Sequence, residues 1–194
     1  GNKLPPMSNI TVHEEGVRKL LNNLSSRKAP GPDGVHPFVL KNCASEIAPA
    51  LTIIFNQSIS TGKLPSDWSK ANVTAIFKKG SRTDPANYRP VSLTSVCCKV
   101  LEHIVYSQVI NHLERHEALS NYQHGFRAKR SCETQLLTTV HQIWEANERV
   151  KQVDAVILDI AKAFDTVPHR HLLHKLDNFG IKGTLHDWFT SFLV

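Results

Sequence analysis

The chain predicts a mixed α/β (α+β) fold, and three observations predict it. Several segments repeat apolar residues at the three- and four-residue spacing of an amphipathic helix. Two short runs rich in β-branched residues flank a polar turn, as in a hairpin. A further run, VDAVILDI, is apolar on both faces, as a central sheet strand is. With 194 residues, 41% hydrophobic and 21% charged, the chain can bury a sizeable core and has an ordinary globular composition.

In chain order, Thr11-x-x-Glu14 reads as a capping box ahead of Val17, Leu20, Leu21 and Leu24, predicting a helix over about residues 12–24. SSRKAPGPDGVHP is a loop, because Pro30, Pro32 and Pro37 each remove a backbone donor and Gly31 and Gly34 admit positive φ. Ile47, Leu51, Ile54, Phe55 and Ser58 predict a second helix that stops near Thr61-Gly62. Strands follow over Asn72 to Phe77 and near Arg89 to Leu93, with basic residues at the tip between them. Val96, Val100, Leu101, Ile104, Val105 and Val109 describe a long helix over residues 95–113. The loop SNYQHGFRAKRS leads to Ser131-x-x-Thr134 and a helix carrying Leu136, Leu137, Val140, Ile143 and Trp144. VDAVILDI then ends in Asp159, and helices over about 169–179 and 183–194 complete the chain.

Several classes are disfavoured. The longest aliphatic run is four residues, Ala155 to Leu158, and GNKLPPMSNI lacks the apolar stretch of a signal peptide, so neither a membrane span nor a secretion signal is expected. Cys43, Cys97, Cys98 and Cys132 form no C-x-x-C pair and read as reduced thiols of an intracellular protein, nuclear or cytoplasmic. A start at Gly1 and an end within WFTSFLV are those expected of a fragment. His112-x-x-x-His116 and the set His169, His171 and His174 lack cysteines in a zinc pattern, and the latter set reads as part of a solvent-exposed helix.

The formal charge is +6. Residues 61–100 concentrate it, with seven cationic side chains against two acidic ones. That excess suits either a phosphate-binding surface or a solvated basic face. Asp159, at the rim of an apolar strand, is placed to hold a divalent cation or, alternatively, to cap a helix beginning at Ile160. Asp165, six residues on, is a second ligand or a capping partner.

The segment LDIAKAFDTVPHRHLLHKL resembles the first catalytic motif of the reverse transcriptases of non-LTR, LINE-type retrotransposons. Three further segments resemble the same family in the same order. They are RKAPGPDGVHPFVLK, IFKKGSRTDPANYRPVSLTSVCCKVLEHIV and YQHGFRAKRSCETQL. The resemblance implies a right-hand polymerase fold: an N-terminal segment and mostly helical fingers with a β-hairpin over residues 1–150, and the first strand and helices of an incomplete palm over residues 151–194. It also implies an RNA-directed DNA polymerase, a nucleotidyltransferase that uses an RNA template, a DNA primer and dNTPs. Two Mg2+ ions, or Mn2+ in their place, would serve as cofactors.

On that resemblance Asp159 aligns with the first metal-binding carboxylate, Ile160 contributes a backbone carbonyl to the second ion, and Asp165 is structural support. Phe164 aligns with the aromatic residue beneath the incoming sugar, with core packing as the alternative. Arg89 aligns with the fingers arginine that grips the triphosphate, and Lys78 or Lys79 is its companion, the choice depending on strand register. Pro90 and Ser92 shape the hairpin. Gln123, Gly125 and Phe126 resemble the motif along the template, where Arg127, Lys129 and Arg130 meet phosphates or, alternatively, are solvated on a turn leading into a helix. Asp33 and Gly34 form a turn closing over template or fingers, and Lys28 meets backbone phosphate.

The family's Gly-rich segment and apolar-x-Asp-Asp hairpin are not among these 194 residues. The isolated chain is therefore expected not to polymerise, and the alternative to a polymerase fragment is an inactive nucleic-acid-binding remnant. A nuclease or phosphatase using Asp159 and Asp165 ranks third. Without its partner hairpin the strand ending at Asp159 is expected to expose an open edge and apolar surface.

Overall fold

The computed structural model describes residues 3–149 and 152–193 together with the backbone of Val150. Val194, expected at the end of the last helix, and Lys151, at the expected boundary between fingers and palm, lie outside the described residues. The elements run α1 (Glu14–Asn22), α2 (Pro37–Asn42), α3 (Ala44–Thr61), β1 (Ala71–Phe77), β2 (Tyr88–Thr94), α4 (Val96–Arg115), α5 (Cys132–Val150), α6 (His169–Asn178) and α7 (Gly183–Leu193). Two compact units divide the chain: Gly1–His112 with His169–Val194, and Leu113–Pro168.

The larger unit is built on α3. Ala44, Ala48, Leu51, Phe55 and Ile59 lie on its buried stripe at helical spacing. Val17 and Leu21 of α1, Leu101 and Val105 of α4, and Leu185 and Trp188 of α7 belong to the same core. The Trp188 indole N–H donates to Ser58 Oγ at 3.1 Å, and the Ser58 hydroxyl donates to the Lys63 carbonyl at 2.6 Å, so this buried polar pair is satisfied. As expected, α3 stops at Gly62, whose φ of +65° lets Lys63 N–H donate back to the Ser58 carbonyl at 3.1 Å. His112 is buried, its Nε2 2.8 Å from the Phe179 carbonyl oxygen.

The capping box expected at Thr11 and Glu14 does not form. His13 is the residue before the helix, without a side-chain cap, so Glu14 opens the first turn instead of lying three residues inside it. Asn56 accounts for the difference. Its carboxamide accepts from Val12 N–H and donates to the Val12 carbonyl, both at 2.9 Å, and holds the approaching chain extended against α3. A short helix not anticipated from sequence, α2, starts with Pro37 at its first turn. His36 Nδ1 accepts from Phe38 N–H at 3.1 Å.

Strands β1 and β2 pair antiparallel from Ala71↔Thr94 to Phe77↔Tyr88. The ladder continues one bond further, Lys78 N–H donating to the Asn87 carbonyl at 2.8 Å.

The smaller unit holds the end of α4, the loop through Ser131, α5 and the segment 152–168. Ser131 and Thr134 cap α5 reciprocally: Thr134 N–H donates to Ser131 Oγ at 3.3 Å and Ser131 N–H to Thr134 Oγ1 at 2.9 Å. The strand expected over VDAVILDI is absent. Residues 152–160 form no regular element, and Ile157 is 92% exposed. A strand exists only by pairing its N–H and C=O groups with a neighbour. Among the described residues the sheet consists of β1 and β2 alone. The apolar surface expected in that segment is nevertheless exposed, on Val156 to Leu158, and α5 exposes a further one, not anticipated, at Leu136, Leu137, Val140 and Trp144.

Candidate nucleotide and template site

In the larger unit, strand alternation combined with the observed register assigns side chains to the faces of the hairpin. Thr74, Ile76 and Lys78 share one face with Arg89, which pairs with Ile76, and with Val91. Lys79 falls beyond the ladder. The opposite face carries Phe77 and Tyr88, whose rings meet edge to face at 5.6 Å. The Arg82 guanidinium sits 5.0 Å from the Phe77 centroid, and Tyr88 Oη donates to the Arg82 carbonyl at 2.8 Å. The tip cations therefore divide: Arg82 packs on the aromatic face, while Lys78 and Arg89, both exposed, share the other.

The GPDG turn supports the base of this hairpin. Gly34 N–H donates to the Gly31 carbonyl at 3.1 Å, and Asp33 Oδ1 accepts from Val35 N–H at 3.2 Å. A β-carbon on Gly31 would stand 2.6 Å from the Thr94 carbonyl carbon and from Ser95 N, so only glycine fits where the turn meets the end of β2. Pro90 and Ser92 lie on the face opposite Arg89. Lys28 is exposed in the loop before the turn.

In the smaller unit Arg127 is not a solvated or phosphate-facing cation. Its Nε and Nη2 donate to the two oxygens of Glu114 at 2.7 and 2.5 Å, and Nη1 donates to the Ser120 carbonyl at 2.8 Å. The Arg127 side chain is 8% exposed and that of Glu114 38%. The Arg127 hydrogen bonds hold the Glu114 carboxyl below its ordinary range, and Glu114 in turn pushes the guanidinium further up. This fork ties the template-motif loop to the end of α4, which corrects the expected role of Arg127 as a direct phosphate contact. Arg130 donates to the Asn121 backbone carbonyl and side chain, Gln123 Nε2 donates to the Gly125 carbonyl at 3.3 Å, and Lys129 is exposed. A cavity of about 700 Å³ opens between this loop and the first turns of α5, with Gly125, Phe126, Arg130 and Gln135 among its walls.

Phe126 and Phe164 meet edge to face, with centroids 6.1 Å apart and planes at 84°. The structure thus brings together a template-motif residue and the residue aligned with the sugar site. Phe164 is 78% exposed, so among the described residues it is not part of a core. Asp159, Ile160 and Asp165 are all exposed. The helical cap expected as an alternative at Asp159 is replaced by a turn over residues 161–166, in which Asp165 and Thr166 N–H both donate to the Lys162 carbonyl, at 2.9 and 3.1 Å. No group of three or more His, Cys, Asp or Glu side chains among the described residues stands close enough to hold a metal ion. By themselves these residues do not fit a two-ion site, which takes several carboxylates.

Glu114 and Ser120, the partners of Arg127, were not singled out from the sequence. A carboxylate thirteen residues from its arginine leaves no periodic signal.

A family model described as reverse transcriptase (RNA-dependent DNA polymerase) matches residues 76–194. The chain belongs to the reverse transcriptase family. It is 32% identical over 171 residues to the RNA-directed DNA polymerase from mobile element jockey of Drosophila melanogaster, covering 88% of this chain and 18% of that protein. It is 30% identical to the probable RNA-directed DNA polymerase from transposon X-element of the same organism, covering 82% and 18%. The Pol polyprotein from type-1 retrotransposable element R2 of Nasonia vitripennis is likewise 30% identical, with coverage of 88% and 15%. These relatives are of the non-LTR class that the motifs resemble. The chain spans less than a fifth of their length. Reverse transcriptases as a family act on a nucleic-acid template with nucleotide substrates and divalent metal ions. No helix among the described residues is long and apolar enough to cross a membrane.

Proposed function

We propose that these residues are the N-terminal segment and fingers (1–150) and the start of the palm (151–194) of an RNA-directed DNA polymerase from a non-LTR retrotransposon. The observation that carries this reading is the family match over residues 76–194, which takes in the end of β1, all of β2 and the Asp159 segment. An RNA template, a DNA primer and dNTPs are the proposed substrates.

Lys78 and Arg89, on one hairpin face, are the proposed triphosphate contacts, a point charge beside a planar guanidinium. Gln123, Gly125, Phe126, Lys129 and Arg130 are proposed to line the template, with Lys28 on backbone phosphate and Arg127 as the anchor of that loop. Phe164 is proposed beneath the incoming sugar. Asp159, with the Ile160 carbonyl, is the proposed contribution of this chain to a Mg2+ site, Mn2+ being the alternative, and Asp165 supports the turn.

The test is primer extension on an RNA template by the full-length polymerase. Incorporation of dNTPs that depends on Mg2+, lost in Asp159→Ala and reduced in Lys78→Ala more than in Lys79→Ala, is the expected result. Full activity in Asp159→Ala overturns the assignment. The 194 residues alone, with no Asp-Asp pair, are expected to bind RNA with a steep salt dependence and not to extend a primer.

A further inference from the structure

The contact between Phe126 and Phe164 joins two motifs distant in sequence, and its supports run further than either motif. Phe126 has φ of +61°, a conformation that a bulky side chain adopts only when its surroundings impose it. The residue next in sequence is anchored on its far side. Arg127 is clamped by both oxygens of Glu114 and by the Ser120 carbonyl, so the backbone leaving Phe126 has a fixed course. Phe164 sits on the turn closed by Asp165 and Thr166 N–H on the Lys162 carbonyl, with Lys162 itself at φ +51°. Each ring therefore rises from a backbone turn held by hydrogen bonds, and the rings meet edge to face, the arrangement that aromatic quadrupoles favour.

A ring that excludes a 2′ hydroxyl must resist displacement by roughly the size of one oxygen atom. Phe164 is exposed over most of its surface, so little packing resists that displacement, and Phe126 supplies the aromatic contact that does. We infer that Phe126 is a specificity-determining positioning residue: it holds the Phe164 ring in place and thereby sets how strongly dNTPs are preferred over rNTPs. This inference rests on the reading of Phe164 as the residue beneath the incoming sugar. Glu114 and Arg127 act at one remove, by holding Phe126.

The experiment is single-nucleotide incorporation by the full-length polymerase, comparing kcat/KM for a dNTP and its matching rNTP. Phe164→Ala comes first, and its dNTP preference is expected to collapse. Phe126→Ala is then expected to lower the dNTP-to-rNTP ratio of kcat/KM about tenfold, over and above whatever loss its place along the template brings to both substrates alike. Phe126→Tyr, which keeps the ring edge, is expected to retain the parental ratio. A purely structural role would slow both substrates together and leave the ratio unmoved.

If Phe164→Ala alters the ratio and Phe126→Ala does not, the inference is overturned and the reading of Phe164 stands. If Phe164→Ala leaves the ratio unchanged, both fall. As a readout independent of turnover, 4-fluorophenylalanine placed at position 164 should show a shifted 19F resonance in Phe126→Ala. An unmoved resonance overturns the contact itself.

Discussion

Trp188 and Trp144 lie on amphipathic helices of the two units and meet opposite fates. On α7, Trp188 is 1% exposed, donates its indole N–H to Ser58 and packs into the core built on α3. On α5, Trp144 is 59% exposed and stacks on His141 of the same helix, with centroids 6.3 Å apart. Both helices repeat apolar residues at the same spacing. Periodicity states which face of a helix needs cover and leaves open what covers it. In the larger unit the cover comes from far along the chain, since Ser58 and Trp188 are separated by 130 residues. In the smaller unit the apolar faces of α5 and of residues 156–158 remain at the surface.

Removing the two indoles tests this contrast most severely. Trp188→Ala should cost about 3–5 kcal/mol, enough to unfold a marginal domain, because it leaves a cavity and strands Ser58. Trp144→Ala should stay within about 0.5 kcal/mol. Urea midpoints compare them, and equal losses would break the distinction between the units.

Glycines probe the same packing on a smaller scale. Gly31→Ala drives a methyl group against the backbone of Thr94 and Ser95, which cannot swing aside, and should lower stability by about 1–3 kcal/mol. Gly16 lies inside α1, where an added β-carbon would have nothing within 4 Å, and should gain about 0.5–1 kcal/mol on replacement by alanine. Thermal unfolding of the two variants should therefore shift in opposite directions.

The Glu114–Arg127 fork makes the smaller unit sensitive to acid. A carboxyl whose pKa is lower in the folded state stabilises it fully above the ordinary value, 4.5, and that contribution fades as pH falls through the lowered one. Measured against the intrinsic rate at each pH, hydrogen-exchange protection in the loop after α4 should fall over that acid range, and Glu114→Gln should weaken that fall while leaving the loop less protected throughout.

Thiol chemistry sharpens the comparison with the least perturbation. Burial pushes the Cys97 thiol up to about 11 and raises that of Cys98, whose Sγ also donates to Glu102 at 3.2 Å. Cys132, at the start of α5, is exposed. Iodoacetamide near neutral pH should label Cys132 in the native chain and reach Cys97 and Cys98 only after unfolding, as peptide mapping would record.

Legibility followed the range of the interaction. The helices over 44–61, 96–115, 169–178 and 183–193 were readable because their hydrogen bonds are local and their spacing repeats. The hairpin was readable for the same reason, with β-branched runs on either side of a polar turn. VDAVILDI misled because its composition suits a buried strand, whereas strandness depends on a neighbour that composition cannot supply. The box at Thr11 and Glu14 misled because Asn56 outcompeted it for the backbone at Val12.

By itself the sequence determined the family and the order of the motifs, and it named the residues proposed for phosphate, sugar and metal, since each is carried by short stretches of chain. Only the tertiary structure decided that Lys78 and not Lys79 shares a face with Arg89, because a one-residue change of register exchanges the two faces of a strand. The structure alone also showed Arg127 closed on Glu114 and Phe126 set against Phe164. Those contacts depend on loop conformations and φ values that no spacing rule encodes, and side chains far apart in sequence meet only once the backbone between them has found its course.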